Sequence, residues 1–138
     1  MNFEYRLRVY WEDTDAGGIV YYANYLKFIE RARTEALLAA GLSQTAIRER
    51  HGVIFAVREV QATYLAPARL EDQLVVTTRV DPPGGARLVM GQEVWRPPTC
   101  LVKCRVTLAC LGSDGRPARL PAEVRAAFGV LPPLGDGP

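Results

Sequence analysis

Three carboxylates lie close together near the start of the chain. Glu12, Asp13 and Asp15 fall within four residues, and Gly17 and Gly18 follow after a single alanine. Glycine lets the backbone approach a ligand closely or adopt a positive φ angle. The aromatic stretch after the glycines enters a helix, whose first N–H groups lack partners and lie at its positive dipole end. A carboxylate facing such groups is equipped to attack a carbonyl whose oxygen they hold.

Four interpretations of this acidic segment follow from the residues alone. The aspartates could shape a turn, because Asp bonds readily to nearby backbone. A calcium loop counted from Asp13 fails, since its twelfth position is Asn24 where a bidentate Glu is needed. A phosphate loop is weakly supported, because the pair Gly17–Gly18 occurs without G-x-x-x-x-G-K-[ST]. The fourth is a catalytic carboxylate beside an oxyanion site at a helix start.

The elements around this segment predict an α+β domain. Short turns between strands imply antiparallel neighbours, and one amphipathic helix with one five-stranded sheet predicts a sheet curled around the helix. The exposed edges of such a sheet favour pairing with a second copy. Alternation predicts strands at Glu4–Tyr10, Val53–Leu65, Gln73–Asp81, Ala86–Arg96 and Thr99–Leu111, and helical spacing predicts helices at Asn24–Ala40, Ser43–Arg50 and Pro121–Phe128.

Composition limits the classes of protein that remain. A chain of 138 residues with a net charge of +2 fits one domain and lacks a basic stripe for nucleic acid. No apolar run reaches the length of a membrane span, and the alternating N-terminus is not a signal peptide. Cys100, Cys104 and Cys110 are odd in number and share one face of a strand, which predicts buried free thiols in the reducing cytoplasm. The tail, residues 132–138, is predicted to be disordered.

Two blocks of sequence resemble a known family. Asp13–Tyr25, followed by Phe28–Glu35, closely resembles the hotdog-fold acyl-CoA thioesterases, above all the 4-hydroxybenzoyl-CoA thioesterase family and its group encoded beside the Tol–Pal envelope genes. Tyr64–Asp72 is a second similar block. The resemblance spans residues 4–130. It implies a hotdog domain over residues 1–131, with an antiparallel five-stranded sheet wrapped around one long helix, assembled as a homodimer or homotetramer.

The resemblance also implies roles for two residues. Asp15 matches the catalytic carboxylate of the family, as nucleophile or general base, and Tyr22 matches the position whose backbone N–H polarises the thioester carbonyl. Many members of the Tol–Pal group carry His at that position, whereas the hydroxybenzoyl enzymes carry Tyr. The implied reaction is hydrolysis of a small acyl-CoA. Coenzyme A is then part of the substrate, and neither a metal nor another cofactor is implied.

The acyl pocket and the alternatives to hydrolysis are less fixed. Ile19, Val20, Phe55 and Val57 are candidates to line the pocket, although plain core explains them equally well. A binding module for acyl-CoA or acyl-carrier protein would use the same pocket without catalysis. A dehydratase is disfavoured, because its chemistry normally needs a His beside the carboxylate and the one histidine is His51, in a polar helix.

The neighbouring acid is a poorer candidate than Asp15. If the first strand continues far enough, alternation places Asp13 and Trp11 on the core-facing side. Asp13 could otherwise brace the turn.

Overall fold

One five-stranded antiparallel sheet forms the framework of the protein. The computed structural model describes residues 3–134. The strands lie in the order β1-β3-β4-β5-β2, with β2 and β1 at the two edges. They are β1 (Glu4–Arg8), β2 (Ile54–Tyr64), β3 (Gln73–Val80), β4 (Arg87–Arg96) and β5 (Thr99–Leu111). The predicted α+β class and the five strands are confirmed.

The long helix α1 (Asn24–Ala39) packs on the inner face of the sheet against β1, β3 and β4. Its apolar residues recur at helical spacing, so one side of it is buried in the core. A shorter helix, α2 (Gln44–His51), begins where the Ser43 hydroxyl accepts from the Ala46 N–H. A third, α3 (Ala122–Phe128), follows β5. The buried residues of α1 are Tyr25, Phe28, Ile29, Ala32, Arg33, Ala36 and Leu37.

The first strand is shorter than its alternation predicts. β1 ends at Arg8, and a single turn of 3-10 helix covers Trp11–Asp13. The Asp13 carboxylate accepts from the Tyr10 N–H at 2.8 Å and so closes this turn. Trp11 is 79% exposed, and the predicted core-facing position of Trp11 and Asp13 is wrong. Asp13 instead braces the turn, which was the other prediction for it.

The edge strand β2 presents apolar side chains that nothing in the described chain covers fully. Val57 pairs with the buried Leu108, so both side chains lie on the inner face of the sheet. The main contacts of α1 on that face are with β1, β3 and β4, and it reaches β2 at the end of the strand, where the Tyr25 ring meets that of Tyr64. Val57, Val60 and Tyr64 therefore remain exposed. A register shift between Val57 and Glu59 bends the strand in between.

The end of the described chain is attached to the sheet. The Val80 N–H donates to the Pro132 carbonyl and the Leu134 N–H donates to the Val80 carbonyl, each at 2.9 Å. Residues 132–134, predicted to begin a disordered tail, thus run beside β3. Residues 135–138 of that prediction lie outside the described residues. No helix in the described part of the chain is long and apolar enough to cross a membrane.

The three cysteines are free thiols, as predicted. Cys104 and Cys110 are buried on the inner face of β5, and Cys100 is half-buried near its start. Burial raises the pKa of the Cys104 thiol to about 11, an effect that the nearby Arg33 charge partly offsets. A thiol with so high a pKa is a structural group, because the thiolate is the reactive form.

Candidate active site

A tight turn presents the carboxylate of Asp15. The Asp15 N–H donates to the Ile19 carbonyl at 2.9 Å, and the Gly18 N–H donates to the Asp15 carbonyl at 3.0 Å. Gly18 has a φ of 80°, which side-chain-bearing residues rarely adopt. A Cβ on Gly17 would lie 3.2 Å from the Asp15 Oδ1 atom. Glycine is therefore favoured at position 18 by the backbone conformation and at position 17 by the limited space beside the carboxylate.

The two oxygens of the Asp15 carboxylate have different surroundings. Oδ1 accepts a hydrogen bond from the Gly17 N–H at 2.8 Å, which fixes the orientation of the side chain. Within residues 3–134, Oδ2 accepts no hydrogen bond, and the residue is exposed. This second oxygen is thus positioned for a water molecule or an incoming electrophilic carbon.

The entry to α1 directs a backbone N–H outward. The Tyr21 carbonyl accepts from the Asn24 N–H at 2.8 Å. The Tyr21 carbonyl and the Tyr22 N–H belong to one trans peptide group, in which C=O and N–H point in opposite directions. Since the carbonyl points toward the helix, the Tyr22 N–H points away from it. It finds no acceptor among the described residues, and the helix cap Ala23 offers no side chain to satisfy the first turn. An unpartnered donor at a helix start suits a partly negative oxygen.

Tyrosines join this entry to the end of β2. The Tyr64 hydroxyl donates to the Tyr22 carbonyl at 3.3 Å, and the two rings meet edge to face with centroids 6.0 Å apart. The Tyr25 hydroxyl accepts from the Ala68 N–H at 2.9 Å. Burial raises the pKa of Tyr25 and of Tyr64, so both stay protonated well above neutral pH. The hydroxyls act as fixed dipoles that position backbone.

A small apolar cavity of about 260 Å³ opens beside the Tyr22 backbone. Two of the predicted pocket residues, Ile19 and Val20, line it. Phe55 and Val57 lie on β2 outside this lining, and their place in an acyl pocket stays a prediction. Its remaining lining was not predicted from the sequence, although most of it belongs to the second block of family resemblance. Those residues are Tyr22, Tyr25, Tyr64, Leu65, Ala66 and Pro67.

The one histidine lies apart from this arrangement. His51 is at the contact between α2 and α3, where its Nε2 atom is 2.6 Å from Glu123 Oε1. This surface position agrees with its predicted place in a polar helix. In residues 3–134, no three Cys, His or acidic side chains come together in a way that could hold a metal ion.

Known proteins share both the sequence and the fold. The family model of the thioesterase-like superfamily matches residues 9–128. The chain is 41% identical over 127 residues to the acyl-CoA thioesterase YbgC of Haemophilus influenzae, covering 91% of this chain and 93% of that protein. A probable thioesterase from Bartonella henselae is 35% identical, with a TM-score of 0.80 over 86% of this chain and 98% of that one.

A third relative supports the fold alone. The 1,4-dihydroxy-2-naphthoyl-CoA thioesterase of Synechocystis has a TM-score of 0.86 at 23% identity, covering 95% of this chain and 98% of that one. Sheet, long helix and these neighbours define a hotdog fold of the thioesterase class. The chain belongs to the thioesterase-like superfamily, among its acyl-CoA thioesterases.

Proposed function

We propose that this enzyme hydrolyses the thioester of a small acyl-CoA to the free acid and coenzyme A, with Asp15 as the catalytic carboxylate. One observation carries the proposal. Oδ2 of Asp15 and the N–H of Tyr22 have no hydrogen-bond partner within residues 3–134, and the short segment that joins them includes Ile19 and Val20, which line an apolar cavity. A thioester with its acyl group in that cavity would meet both groups.

The Tyr22 N–H is proposed to hold the thioester oxygen. Charge builds on that oxygen as the carbonyl carbon is attacked, and a preoriented donor stabilises it. Loss of one such donor typically costs about 3 kcal/mol of transition-state stabilisation. Because the donor is backbone, Tyr in place of His at this position leaves its role intact.

Asp15 is proposed to act in one of two ways. As nucleophile, Oδ2 attacks the carbonyl carbon, the C–S bond breaks, coenzyme A leaves as thiolate, and water then hydrolyses the mixed anhydride. As general base, Oδ2 takes a proton from a water molecule that attacks the same carbon. Thiolate is a good leaving group, so neither route requires a strong acid, a metal or a cofactor beyond the coenzyme A of the substrate.

The test compares Asp15→Asn with Asp114→Asn. In the parent protein both aspartates accept a hydrogen bond from the N–H two residues ahead, at 2.8 and 3.0 Å, and an amide oxygen can keep either bond. Free-thiol release is measured on short aliphatic, long aliphatic and aromatic acyl-CoAs. We expect Asp15→Asn to lose several orders of magnitude in kcat and Asp114→Asn to retain it.

Each other outcome has a definite meaning. Equal activity of Asp15→Asn and the parent would contradict the proposed role of Asp15. A parent protein that binds acyl-CoA or acyl-carrier protein without hydrolysing any thioester would be a binding module instead. Mass spectrometry of the quenched reaction distinguishes the two routes, since only the nucleophilic one leaves an acyl group on Asp15.

A homodimer joined along β2 is proposed as the working unit. β2 is an edge strand, and its inner face exposes Val57, Val60 and Tyr64. Antiparallel pairing of two copies about the middle of β2 would bring the start of one strand beside the end of the other. Phe55 and Val57 of one copy would then approach Tyr64 of the second, next to the cavity. Two such dimers could form a tetramer. The free thiols favour a reducing compartment, so the cytoplasm is the proposed location.

Sedimentation of two lysine variants tests the dimer. Val57 and Val130 are both 49% exposed, but only Val57 lies on β2. We expect Val57→Lys to sediment as a monomer with reduced activity and Val130→Lys to behave as the parent. A parent protein that is monomeric at micromolar concentration would overturn the proposal.

A further inference from the structure

A second cavity, of about 530 Å³, lies toward the β1 edge of the sheet. Three of its lining residues are arginines and none is acidic. We call it the arginine cavity. Its lining is Arg6, Leu7, Arg8, Gln73, Leu74, Val75, Arg96 and Pro97. Neither the proposed hydrolysis nor the family resemblance assigns a role to these residues.

Two of the arginines are held in place by hydrogen bonds, Arg8 to backbone alone and Arg96 to backbone and a carboxylate. Arg8 Nη1 donates to the Glu71 carbonyl at 3.1 Å. Arg96 Nη1 donates to Asp72 Oδ2 at 2.7 Å and to the Pro67 carbonyl at 3.2 Å. A guanidinium has five N–H donors, so each side chain keeps several for a ligand. The partner of Arg8 is a carbonyl, which orients the guanidinium without neutralising its charge.

The third arginine is paired only loosely. Arg6 Nη2 lies 3.3 Å from Glu4 Oε2, and its side chain is 76% exposed. Exposed pairs of this kind contribute little to stability. The contact can therefore yield to a stronger anion at small cost. Glu4 and Asp72, the acids that pair with Arg6 and Arg96, lie outside the lining.

We propose that the arginine cavity binds the phosphate groups of an organic phosphate. Planar guanidinium groups bind phosphate through paired, charge-assisted hydrogen bonds. The volume falls in the range of about 300–1,000 Å³ that is usual for small-molecule sites. Gln73 adds an amide for a hydroxyl or base of the ligand, and Leu7 adds an apolar wall. The phosphates could belong to the nucleotide end of coenzyme A or to a separate nucleotide.

The arginine cavity adjoins the acyl cavity through one loop. Arg96 bonds the carbonyl of Pro67, and Pro67 also lines the cavity beside Tyr22. The loop is further tied to the catalytic turn, because the Val20 N–H donates to the Ala68 carbonyl at 2.9 Å. A ligand in the arginine cavity would therefore contact Arg96, whose guanidinium bonds the loop that also lines the acyl cavity.

The test uses ADP as probe and calorimetry at low salt. We compare the parent protein with Arg6→Gln, with the double variant Arg6→Gln/Arg8→Gln, and with Arg48→Gln, an exposed arginine of α2. We expect the double variant to raise Kd by about tenfold or more, since each lost phosphate contact weakens binding. Arg6→Gln alone should raise Kd by a smaller factor. Because the Arg6 side chain is exposed, we expect Arg6→Gln to fold even if the double variant does not.

The binding test does not depend on hydrolysis, and it is repeated in Asp15→Asn to keep the two questions separate. No heat from ADP in the parent protein, or the same Kd in the Arg6 variants as in Arg48→Gln, would overturn the inference. Unchanged affinity of Arg48→Gln beside weakened Arg6 variants would support it. Failure of the proposed hydrolysis would appear instead as a parent protein that binds ADP but releases no thiol.

Steady-state kinetics separates the two sources of phosphate. If the cavity holds the nucleotide end of the substrate, the double variant raises KM for acyl-CoA but not for the acyl-pantetheine lacking that nucleotide. If it holds a separate nucleotide, KM for acyl-CoA is unchanged and coenzyme A does not displace ADP. Either pattern, together with the weakened ADP binding, supports a phosphate site.

Discussion

The side-chain amide of Asn24 donates to the backbone carbonyl of Asp13, 2.9 Å away. The same carbonyl accepts the Tyr21 N–H at 3.0 Å. Asn24 is the first residue of α1, and Asp13 precedes Asp15 by two residues. The start of the helix and the turn that carries the carboxylate are therefore one hydrogen-bonded unit, and the distance between Asp15 and the Tyr22 N–H depends on it.

Replacing Asn24 by Ala should reduce kcat more than it reduces stability. The change removes one hydrogen bond, worth about 1 kcal/mol to folding. It also loosens the relative position of Asp15 and Tyr22, and small misplacements of reacting groups are costly to rate. We expect kcat to fall by about tenfold or more with little change in KM, measured by steady-state kinetics beside thermal unfolding.

Two further variants control for this effect. Thr34→Ala removes an exposed side-chain contact to Glu30 within the same helix, at 3.1 Å, and should leave kcat unchanged. Asn24→Asp should fail to restore activity, because a carboxylate cannot donate to the Asp13 carbonyl. Full activity in Asn24→Ala would show that the bond does not position the site.

Removing the hydroxyl of Tyr64 should weaken catalysis through the backbone of Tyr22. Tyr64→Phe keeps the ring that packs on Tyr22 and Tyr25 but loses the bond to the Tyr22 carbonyl. A neutral hydrogen bond contributes about 1 kcal/mol, so we expect a loss of about fivefold in kcat. Tyr5→Phe, a half-buried tyrosine of β1, is the matched control. Equal kcat in both variants would exclude a positioning role for Tyr64.

The two glycines beside Asp15 should respond differently to alanine. Gly18 has a φ of 80° and nothing within 4 Å of an added Cβ, so Gly18→Ala should cost about 1–2 kcal/mol of stability through backbone strain. Gly17→Ala places a Cβ against the carboxylate and should lower kcat with a smaller loss of stability. Gly85→Ala meets neither strain nor contact and is the control. Stability is measured by chemical denaturation and activity as kcat. A larger loss of stability in Gly17→Ala than in Gly18→Ala, together with a lower kcat in Gly18→Ala, would contradict this division.

Periodicity predicted the long elements closely. The helix beginning at Asn24 ends one residue earlier than predicted, and β5 spans the predicted Thr99–Leu111. In both elements, the apolar periodicity and the residues that end the element predict the same bounds. Burial in the core requires a regular apolar face, and a turn requires residues that end the helix or strand. The end of β1 was missed, since it depends on a single bond from the Tyr10 N–H to the Asp13 carboxylate that no alternation encodes.

The candidate site was predicted from the sequence only where its residues are close along the chain. Asp15 and the Tyr22 backbone lie in one segment, so a motif could propose them together, and their roles stay a prediction. Tyr64 reaches Tyr22 from 42 residues away, and that contact depends on how β2 lies against the helix entry. The same holds for the arginine cavity, where β1 and the end of β4 meet only across β3. Contacts of this kind follow from the register of the sheet, which a single sequence does not specify.

Alkaline pH should destabilise the fold through Cys104. Its pKa is raised from 9.0 to about 11, chiefly by burial, so the native state keeps a proton that the unfolded chain loses. The stabilisation is fully present below pH 9 and is lost as pH rises toward 11. Because a tenfold change in a proton-binding constant corresponds to about 1.4 kcal/mol, the free energy of unfolding should fall by about 2–3 kcal/mol over this range.

Denaturant unfolding of Cys104→Ala across this pH range checks the assignment. The variant loses the thiol and some packing, so it should be less stable than the parent at pH 7. As the parent loses its proton-linked stability above pH 9, the difference between the two should shrink. Tyr25 and Cys110 also have raised pKa values that do not involve Cys104, so the decline they add is present in both proteins and cancels in the difference. The charge of the Cys104 thiolate contributes to the raised pKa of Tyr64, so that part of the decline is lost together with Cys104 and acts in the same direction. A difference that stays constant from pH 7 to pH 11 would contradict the role given to Cys104.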